Sequence, residues 1–117
     1  MHMQYKAWLG KQEFKRTVAP STEPKIVVFA ATWCGYCKRF LRMLDGFEPN
    51  KGKSSPEIVV VDADDEDESL WDEYGIRVVP TLVVLRNGKE EFKREARPGA
   101  SLREMDVEDA IAAAGAS

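Results

Sequence analysis

Two hydrophobic patterns alternate along this chain: short runs of adjacent apolar residues, and stretches in which apolar residues recur every three or four positions. The runs at Lys25–Ala30 and Ile58–Val61 are rich in β-branched residues, which is typical of strands buried on both faces of a sheet. Three further segments have weaker strand patterns: residues 3–9, Thr81–Leu85 and Glu90–Lys93. Asn87-Gly88 separates the last two and favours a tight hairpin, because both turn residues need a positive φ.

From Cys34 onward, apolar residues recur at the spacing of an α-helix. From Cys37 onward, apolar residues at i, i+3, i+4 and i+7, continued by Phe47, lie on one side of the segment, and cations lie on the other. The pattern predicts an amphipathic helix of about 12 residues that ends near Gly46. Two shorter helices are predicted, at Gln12–Val18 and Ser69–Tyr74.

The capping-box sequence Ser101-Leu-Arg-Glu104 favours the start of a C-terminal helix, whose apolar face extends from Val107 to Ala114. Residues 48–56 are polar and rich in turn-forming residues, which predicts an exposed loop. Asp62–Glu68 carries six carboxylates in seven residues. Such a run is typical of a solvated loop that leads into an acidic helix start.

The resulting order is β–α–β–α–β–β–α, preceded by a strand and a short helix. It predicts an α/β fold with a central mixed β-sheet of four to five strands and helices on both faces. The 117 residues fit one domain, and the sequence shows no internal repeat. We therefore expect residues 1–117 to form a single domain, and we interpret Met1–His2 as a cloning remnant.

The composition and net charge of the chain limit the kinds of molecule that it is expected to bind. Hydrophobic residues make up 44% of the chain, charged residues 32%, and the net charge is −3. Nothing here indicates nucleic acid or an anionic membrane as a partner. No apolar run approaches the roughly 20 residues that a membrane-spanning helix needs. The N-terminus lacks the positive start and apolar stretch of an export signal, so we expect a cytoplasmic location.

The chain has two cysteines, Cys34 and Cys37. So close a pair cannot link distant parts of the fold. It indicates redox chemistry, half of a metal site shared between two chains, or two inert core thiols. Zinc takes four ligands, and the only histidine, His2, lies in the N-terminal remnant. We therefore expect no metal and no other cofactor.

Redox chemistry fits the positions of the two thiols. Disulfide exchange needs a thiolate that attacks a disulfide and a second thiol that resolves the mixed disulfide. Cys34 lies at the predicted helix N-terminus, where unpaired backbone N–H groups and the positive end of the helix dipole favour a thiolate. Cys37 lies one turn further along, where burial keeps it protonated. Gly35 leaves space for a partner's backbone beside Cys34.

Trp33-Cys34-Gly35-Tyr36-Cys37-Lys38 resembles the active site of the thioredoxin superfamily. The resemblance continues in Tyr74–Thr81, with its Val-Pro-Thr ending, in the Asn87-Gly88 hairpin, and in Gly99-Ala100 before the last helix. It covers most of the chain. It implies the thioredoxin fold and a thiol–disulfide oxidoreductase, with Cys34 as the nucleophile and Cys37 as the resolving thiol.

The same resemblance implies a substrate-binding surface. Val79–Pro80 corresponds to the superfamily's cis peptide, which faces the disulfide. The residue before that proline pairs its backbone with an extended segment of the substrate, which adds as a short strand. The residues implied in substrate binding are Trp33, Gly35, Tyr36, Ile76, Val79, Pro80 and Gly99.

The sequence departs from the thioredoxin pattern in two respects. Thioredoxins usually carry a buried Asp six residues before the first cysteine, where this chain has Val28, and a Lys on the next strand, which we align with Ile58. The two charges are missing together, which avoids a lone buried charge. Tyr36 stands where thioredoxins have proline, and the residues between the cysteines tune the redox potential, so we expect a less reducing protein.

We therefore expect a monomeric protein-disulfide reductase that acts on disulfide-containing proteins and receives electrons from a thioredoxin reductase-type donor. Three alternatives stay open: a disulfide isomerase or oxidase, a redox protein with one dedicated partner, and a non-enzymatic thioredoxin-like binding module. The reducing cytosol argues against the first, and the intact Cys-x-x-Cys pair argues against the last.

Overall fold

A computed structural model describes residues 5–46, 57–64 and 69–115 of the chain. Four predictions fall on residues outside these ranges: the remnant Met1–His2, the helix extension at Phe47, the loop at 48–56 and the second half of the acidic run. The helices and strands are β1 (Tyr5–Leu9), α1 (Lys11–Glu13) with a π-helical continuation (Phe14–Val18), β2 (Lys25–Ala30), α2 (Gly35–Gly46), β3 (Ile58–Asp62), α3 (Ser69–Glu73), β4 (Thr81–Arg86), β5 (Lys89–Glu95) and α4 (Glu104–Gly115).

The strands form one mixed sheet in the order β1-β3-β2-β4-β5. β1, β3 and β2 run parallel, whereas β4 is antiparallel to both β2 and β5. The Asn87-Gly88 hairpin joins β4 to β5, and both of its residues have a positive φ, 53° and 79°. The prediction of a mixed sheet closed by an antiparallel hairpin is confirmed.

Each face of the sheet carries its own hydrophobic core, because successive strand residues point to opposite faces. Ile26 and Val28 of β2 face α2 and α4, and together these elements form the first core. Val27 and Phe29 face the other way, into a second core with Phe14, Val18 and Leu70. Helices therefore cover both faces, as the continuous apolar runs of the central strands require.

An aromatic cluster anchors the second core. The ring of Phe14 meets those of Phe29 and Tyr74 edge-on, with centroids 5.7 and 5.5 Å away. Edge-to-face pairs of this kind add to the free energy gained by burial alone. The cluster fixes the π-helical turn and the end of α3 against the sheet.

The edge strand β1 is irregular. Its register against β3 shifts between Lys6 and Leu9, and Trp8 within this bulge has a φ of +62°. The prediction of an N-terminal edge strand is confirmed, but alternation of side chains does not reveal such a bulge. No helix in the described part of the chain is long and apolar enough to cross a membrane.

The predicted capping box at Ser101–Glu104 is wrong. α4 begins at Glu104, and the Ser101 hydroxyl donates instead to the carbonyl oxygen of Tyr36, 2.8 Å away. The backbone N–H of Arg103 donates to the carboxylate of Asp106 at 2.7 Å, which satisfies one of the open donors at this helix start. Ser101 therefore ties the approach to α4 to the start of α2.

Candidate active site

The two cysteines lie where β2 passes into α2. The N–H of Cys34 donates to the carbonyl of Ala31 at 3.2 Å, and the Cys34 carbonyl accepts from Lys38 N–H at 3.2 Å. Cys34 therefore takes the capping position just before the first helical residue, Gly35. Its sulfur also accepts a hydrogen bond from the N–H of Cys37 at 3.2 Å, as a capping side chain does.

Cys34 and Cys37 are both free thiols, and they differ in exposure. Cys34 keeps 7% of its surface accessible, whereas Cys37 is fully buried. Burial raises the pKa of Cys37 well above its ordinary value, and its hydrogen bond with Cys34 acts in the same direction. At neutral pH the buried thiol therefore stays protonated, as the sequence predicts, because a thiolate is poorly solvated there.

A backbone carbonyl lies on the other side of Cys34. The Cys34 thiol donates to the carbonyl oxygen of Val79, with 3.6 Å between sulfur and oxygen, and the Val79–Pro80 peptide bond is cis. The Thr81 hydroxyl donates to the Val78 carbonyl at 2.7 Å. This segment, residues 74–79, joins α3 to β4 and brings its backbone against the reactive sulfur.

The loop before Cys34 is held by Asp64, which follows β3. The Asp64 carboxylate accepts from the backbone N–H of Thr32 at 2.5 Å and from its hydroxyl at 2.6 Å. The indole N–H of Trp33 donates to the Asp64 carbonyl at 3.1 Å. Partial burial opposes ionisation of this carboxyl, but the hydrogen bonds from Thr32 lower the pKa of Asp64. The charged carboxylate therefore fixes Thr32, and the backbone carbonyl of the same residue holds Trp33.

The segment 74–79 is held from the edge strand β5. The Lys93 ammonium donates to the carbonyl oxygens of Tyr74 at 3.1 Å and Gly75 at 2.9 Å, where a cation at the end of a helix is favourable. Two residues on, the Glu95 carboxylate accepts two hydrogen bonds from the Arg77 guanidinium, at 2.7 and 3.1 Å. Both contacts anchor the backbone that leads to Val79.

Apolar surface surrounds Cys34, but its composition differs from the expected set. Trp33 and Tyr36 are 58% and 39% exposed, and Val79 is half-buried. Ile76 is only 5% exposed and packs in the second core, so it offers little surface. Val78, 40% exposed, was not in the expected set. Val78 adjoins Val79 in the chain, whereas Ile76 packs into the second core.

Three of the expected residues remain: Gly35, Pro80 and Gly99. Gly35 and Gly99 are exposed, and a Cβ atom added to either would meet nothing within 4 Å. Gly99 has a φ of +76°, which L-residues adopt at a cost. Pro80 is buried beneath the surface. The described residues hold no group of three or more metal-ligating side chains.

Comparison with known proteins gives the family. The family model for thioredoxin matches residues 6–108. The chain belongs to the thioredoxin family. A thioredoxin from Rickettsia felis is 37% identical over 79 residues, which are 67% of this chain and 72% of that protein. Thioredoxin 1 from Synechococcus elongatus is 35% identical over 77 residues, which are 65% of this chain and 69% of that protein.

Solved structures agree on the fold. A thioredoxin from Nicotiana alata superposes with a TM-score of 0.69 at 22% identity, covering 96% of this chain and 93% of that one. Thioredoxin f from spinach chloroplast gives a TM-score of 0.66 at 22% identity, covering 97% of both chains. The prediction of a thioredoxin fold is confirmed.

The family assigns the chemistry in general terms. This chain is a thiol–disulfide oxidoreductase with protein-disulfide reductase activity, as the sequence predicts. Members of the family act on disulfide substrates and receive electrons from a reductase. The redox-active group is the Cys34–Cys37 pair itself.

The surroundings of Cys37 depart from those of most thioredoxins. Val28 occupies the position of the usual buried Asp, and it lies in the same core as Cys37. The register of the parallel strands pairs Val28 with Val60 and pairs Ile58 with Ile26. Val60 is therefore the direct neighbour of Val28, and Ile58, which we align with the usual Lys, lies two positions away in the same core. The conclusion that both charges are missing holds, because both strand positions are apolar.

Proposed function

We propose that this thioredoxin-family protein reduces protein disulfides, with Cys34 as the nucleophile and Cys37 as the resolving thiol. One observation carries the assignment of roles: the Cys34 sulfur accepts the N–H of Cys37 at 3.2 Å at the start of α2, while Cys37 is buried and its pKa is raised. A hydrogen bond donated to sulfur stabilises a thiolate there, so the attacking sulfur is that of Cys34.

The reaction transfers two electrons to the substrate. The Cys34 thiolate attacks one sulfur of the substrate disulfide, and the other sulfur leaves as a thiolate that takes up a proton. Cys37 then loses its proton and attacks the Cys34 sulfur, which releases the second substrate thiol. The products are two substrate thiols and a Cys34–Cys37 disulfide, which a dithiol donor of the thioredoxin reductase type returns to the reduced state.

Insulin reduction tests the proposal. With dithiothreitol as electron donor, the protein should accelerate the precipitation of reduced insulin chains, and Cys34→Ser should lower this rate to that of dithiothreitol alone, because no thiolate remains at the capping position. Turbidity measures the rate. Equal rates for wild type and Cys34→Ser would overturn the proposal. A wild type that accelerates insulin reduction poorly but restores scrambled disulfides efficiently would indicate an isomerase instead.

The substrate segment binds over Cys34 and the backbone of Val79. The exposed side chains of Trp33, Tyr36 and Val78 supply apolar contact, and Gly35 and Gly99 let the partner's backbone approach. Such binding reads little sequence, because most of its hydrogen bonds involve backbone groups. In this proposal the expected residues Trp33, Gly35, Tyr36, Val79, Pro80 and Gly99 form the binding surface, and the exposed Val78 replaces the buried Ile76.

Lys93→Met should impair the reduction of proteins more than that of small disulfides. Without the ammonium, the carbonyls of Tyr74 and Gly75 lose their partner, and the Val79 backbone shifts. We expect KM for insulin to rise about threefold to tenfold, since displacement of about 1 Å at a site has large effects. Reduction of 5,5′-dithiobis(2-nitrobenzoate), which forms no strand pairing, should change less.

The matched control for this variant is Lys89→Met, which removes an exposed ammonium from the same strand, at the hairpin. Lys93→Arg should restore most of the protein reduction. An equal loss toward both substrates in Lys93→Met would contradict the positioning role and indicate general damage to the site.

The proposed function also implies a cellular location and an oligomeric state for the protein. We propose that the protein works in the cytoplasm, as a monomer and without a metal or organic cofactor. The redox poise of that compartment supports the reductive direction, since the cytosol keeps thiols reduced. The negative net charge of −3 gives no support for a nucleic-acid or membrane partner.

A further inference from the structure

Three cations without an ion-pair partner lie on α2, the helix that begins just after the reactive thiol. Lys38, Arg39 and Arg42 are exposed on α2, and within the described ranges no carboxylate lies at ion-pair distance from them. Most cations elsewhere are paired: Lys15 with Glu73, Lys25 with Glu57, Arg77 with Glu95, Arg86 with Glu91, and Arg94 with Asp106. The charges of α2 are thus available to a partner.

A second segment that contacts the start of α2 also carries unpaired cations. The Ser101 hydroxyl donates to the Tyr36 carbonyl at 2.8 Å, which ties the residues before α4 to the start of α2. Arg97 and Arg103 flank this contact in sequence, are exposed, and also have no ion-pair partner among the described side chains. This basic concentration is local, because the whole chain has a net charge of −3.

Arg39 is held toward the active site. Its guanidinium carbon lies 5.6 Å from the centre of the Tyr36 ring, within the range of a cation–π interaction. Helical side chains lean toward the N-terminus of their helix, so Arg39 reaches back over Tyr36, one of the two residues between the cysteines. The Tyr36 ring is 39% exposed. A partner that contacts Tyr36 therefore meets the guanidinium as well.

We propose that the rim formed by Tyr36, Lys38, Arg39 and Arg42 selects protein substrates whose disulfide is flanked by carboxylates. This proposal rests on the proposed function and specifies its substrate class. An acidic segment that leaves Cys34 across α2 would meet unpaired cations there. Arg39 adds a planar, bidentate donor that suits carboxylates. Trp33 and Val78 contribute apolar contact without this selectivity.

The expected size of the preference for acidic substrates follows from the solvent exposure of the cations on the rim. A surface ion pair contributes roughly 0.2–1 kcal/mol, which corresponds to about a 1.4-fold to fivefold change in kcat/KM for each pair. Several pairs acting together should give a preference of about tenfold for an acidic substrate at low salt. Salt should weaken it, since charges this exposed are screened within about 10 Å at 0.1 M.

Two synthetic peptides test the proposal. Each contains the same disulfide-closed loop, followed by three Glu residues in one and three Gln residues in the other. The readout is the ratio of kcat/KM for the Glu peptide to that for the Gln peptide. For wild type the ratio should be about ten at low ionic strength and approach one in molar salt. A ratio of one at low salt overturns the proposal.

Variants locate the preference on the rim. Arg39→Gln should lower the ratio about twofold to fivefold, and Arg39→Lys, which keeps the charge, should retain more of it. Arg16→Gln, an exposed cation on the π-helical turn over the opposite face of the sheet, should leave the ratio unchanged. A ratio unaffected by Arg39→Gln also overturns the proposal. Failure of wild type to reduce either peptide would count against the reductase function instead.

Discussion

Resolution of the mixed disulfide by Cys37 should accelerate about tenfold with each pH unit between roughly pH 6.5 and 8.5, because only the thiolate attacks. Burial raises the pKa of Cys37 above this range, and the charge of Asp64 adds to the rise. Protonated Cys37 therefore dominates throughout, and its small thiolate fraction grows in proportion to the hydroxide concentration.

The apolar wall around Cys37 explains why this step depends on bulk hydroxide. Val28 and Val60 lie side by side in the register of β2 and β3, where most thioredoxins carry a buried carboxylate. No carboxylate at that position takes the proton from Cys37. The mixed disulfide should therefore persist at neutral pH, and the first step, at the capped and partly accessible Cys34, should outpace the second.

Reaction with 5,5′-dithiobis(2-nitrobenzoate) separates the two steps. The first thionitrobenzoate is released when Cys34 attacks, and the second when Cys37 displaces the group left on Cys34. Stopped-flow absorbance should show a second phase with a slope near one on a plot of log rate against pH. Cys37→Ser should abolish that phase and leave a stable adduct. A second phase independent of pH in wild type would contradict the explanation.

Most of the sheet could be predicted from local pattern. Lys25–Ala30 and the Ile58 run are apolar at consecutive positions because both of their faces are covered, and β2 and β3 form there. Asn87-Gly88 fixes the hairpin because few other dipeptides adopt two positive φ angles at low cost. α2 follows the i, i+3, i+4 pattern to its end at Gly46. Each of these features depends on a few adjacent residues.

The contacts that position the site could not be predicted, because they join residues far apart in sequence. Lys93 of β5 donates to the carbonyls of Tyr74 and Gly75, which follow α3. Asp64, just after β3, fixes Thr32. The pairing of Val28 with Val60 depends on strand register, and a change of register by one residue turns every side chain to the other face. The cysteine motif identifies the reacting atoms, whereas tertiary contacts decide where their surroundings lie.

Asp106→Ala should lower the free energy of unfolding by about 2–4 kcal/mol, since it removes charge-assisted hydrogen bonds from a buried group. The Asp106 side chain is fully buried, and its carboxylate accepts from the Arg94 guanidinium at 2.6 Å. It also accepts the N–H of Arg103 at 2.7 Å, at the start of α4. One carboxylate thus joins β5 to α4 and satisfies an open helix donor.

Two further substitutions separate these contributions. Asp106→Asn keeps an acceptor for the Arg103 N–H but loses the charge opposite Arg94, so its loss of stability should be intermediate. Asp109→Ala removes the second carboxylate near Arg94, at 3.2 Å, whose side chain is half exposed, and should cost less than about 1 kcal/mol. Urea unfolding followed by circular dichroism gives the three values. Equal losses for Asp106→Ala and Asp109→Ala would show that burial of the Asp106 carboxylate contributes nothing beyond a surface ion pair, and would contradict its role as the link between β5 and α4.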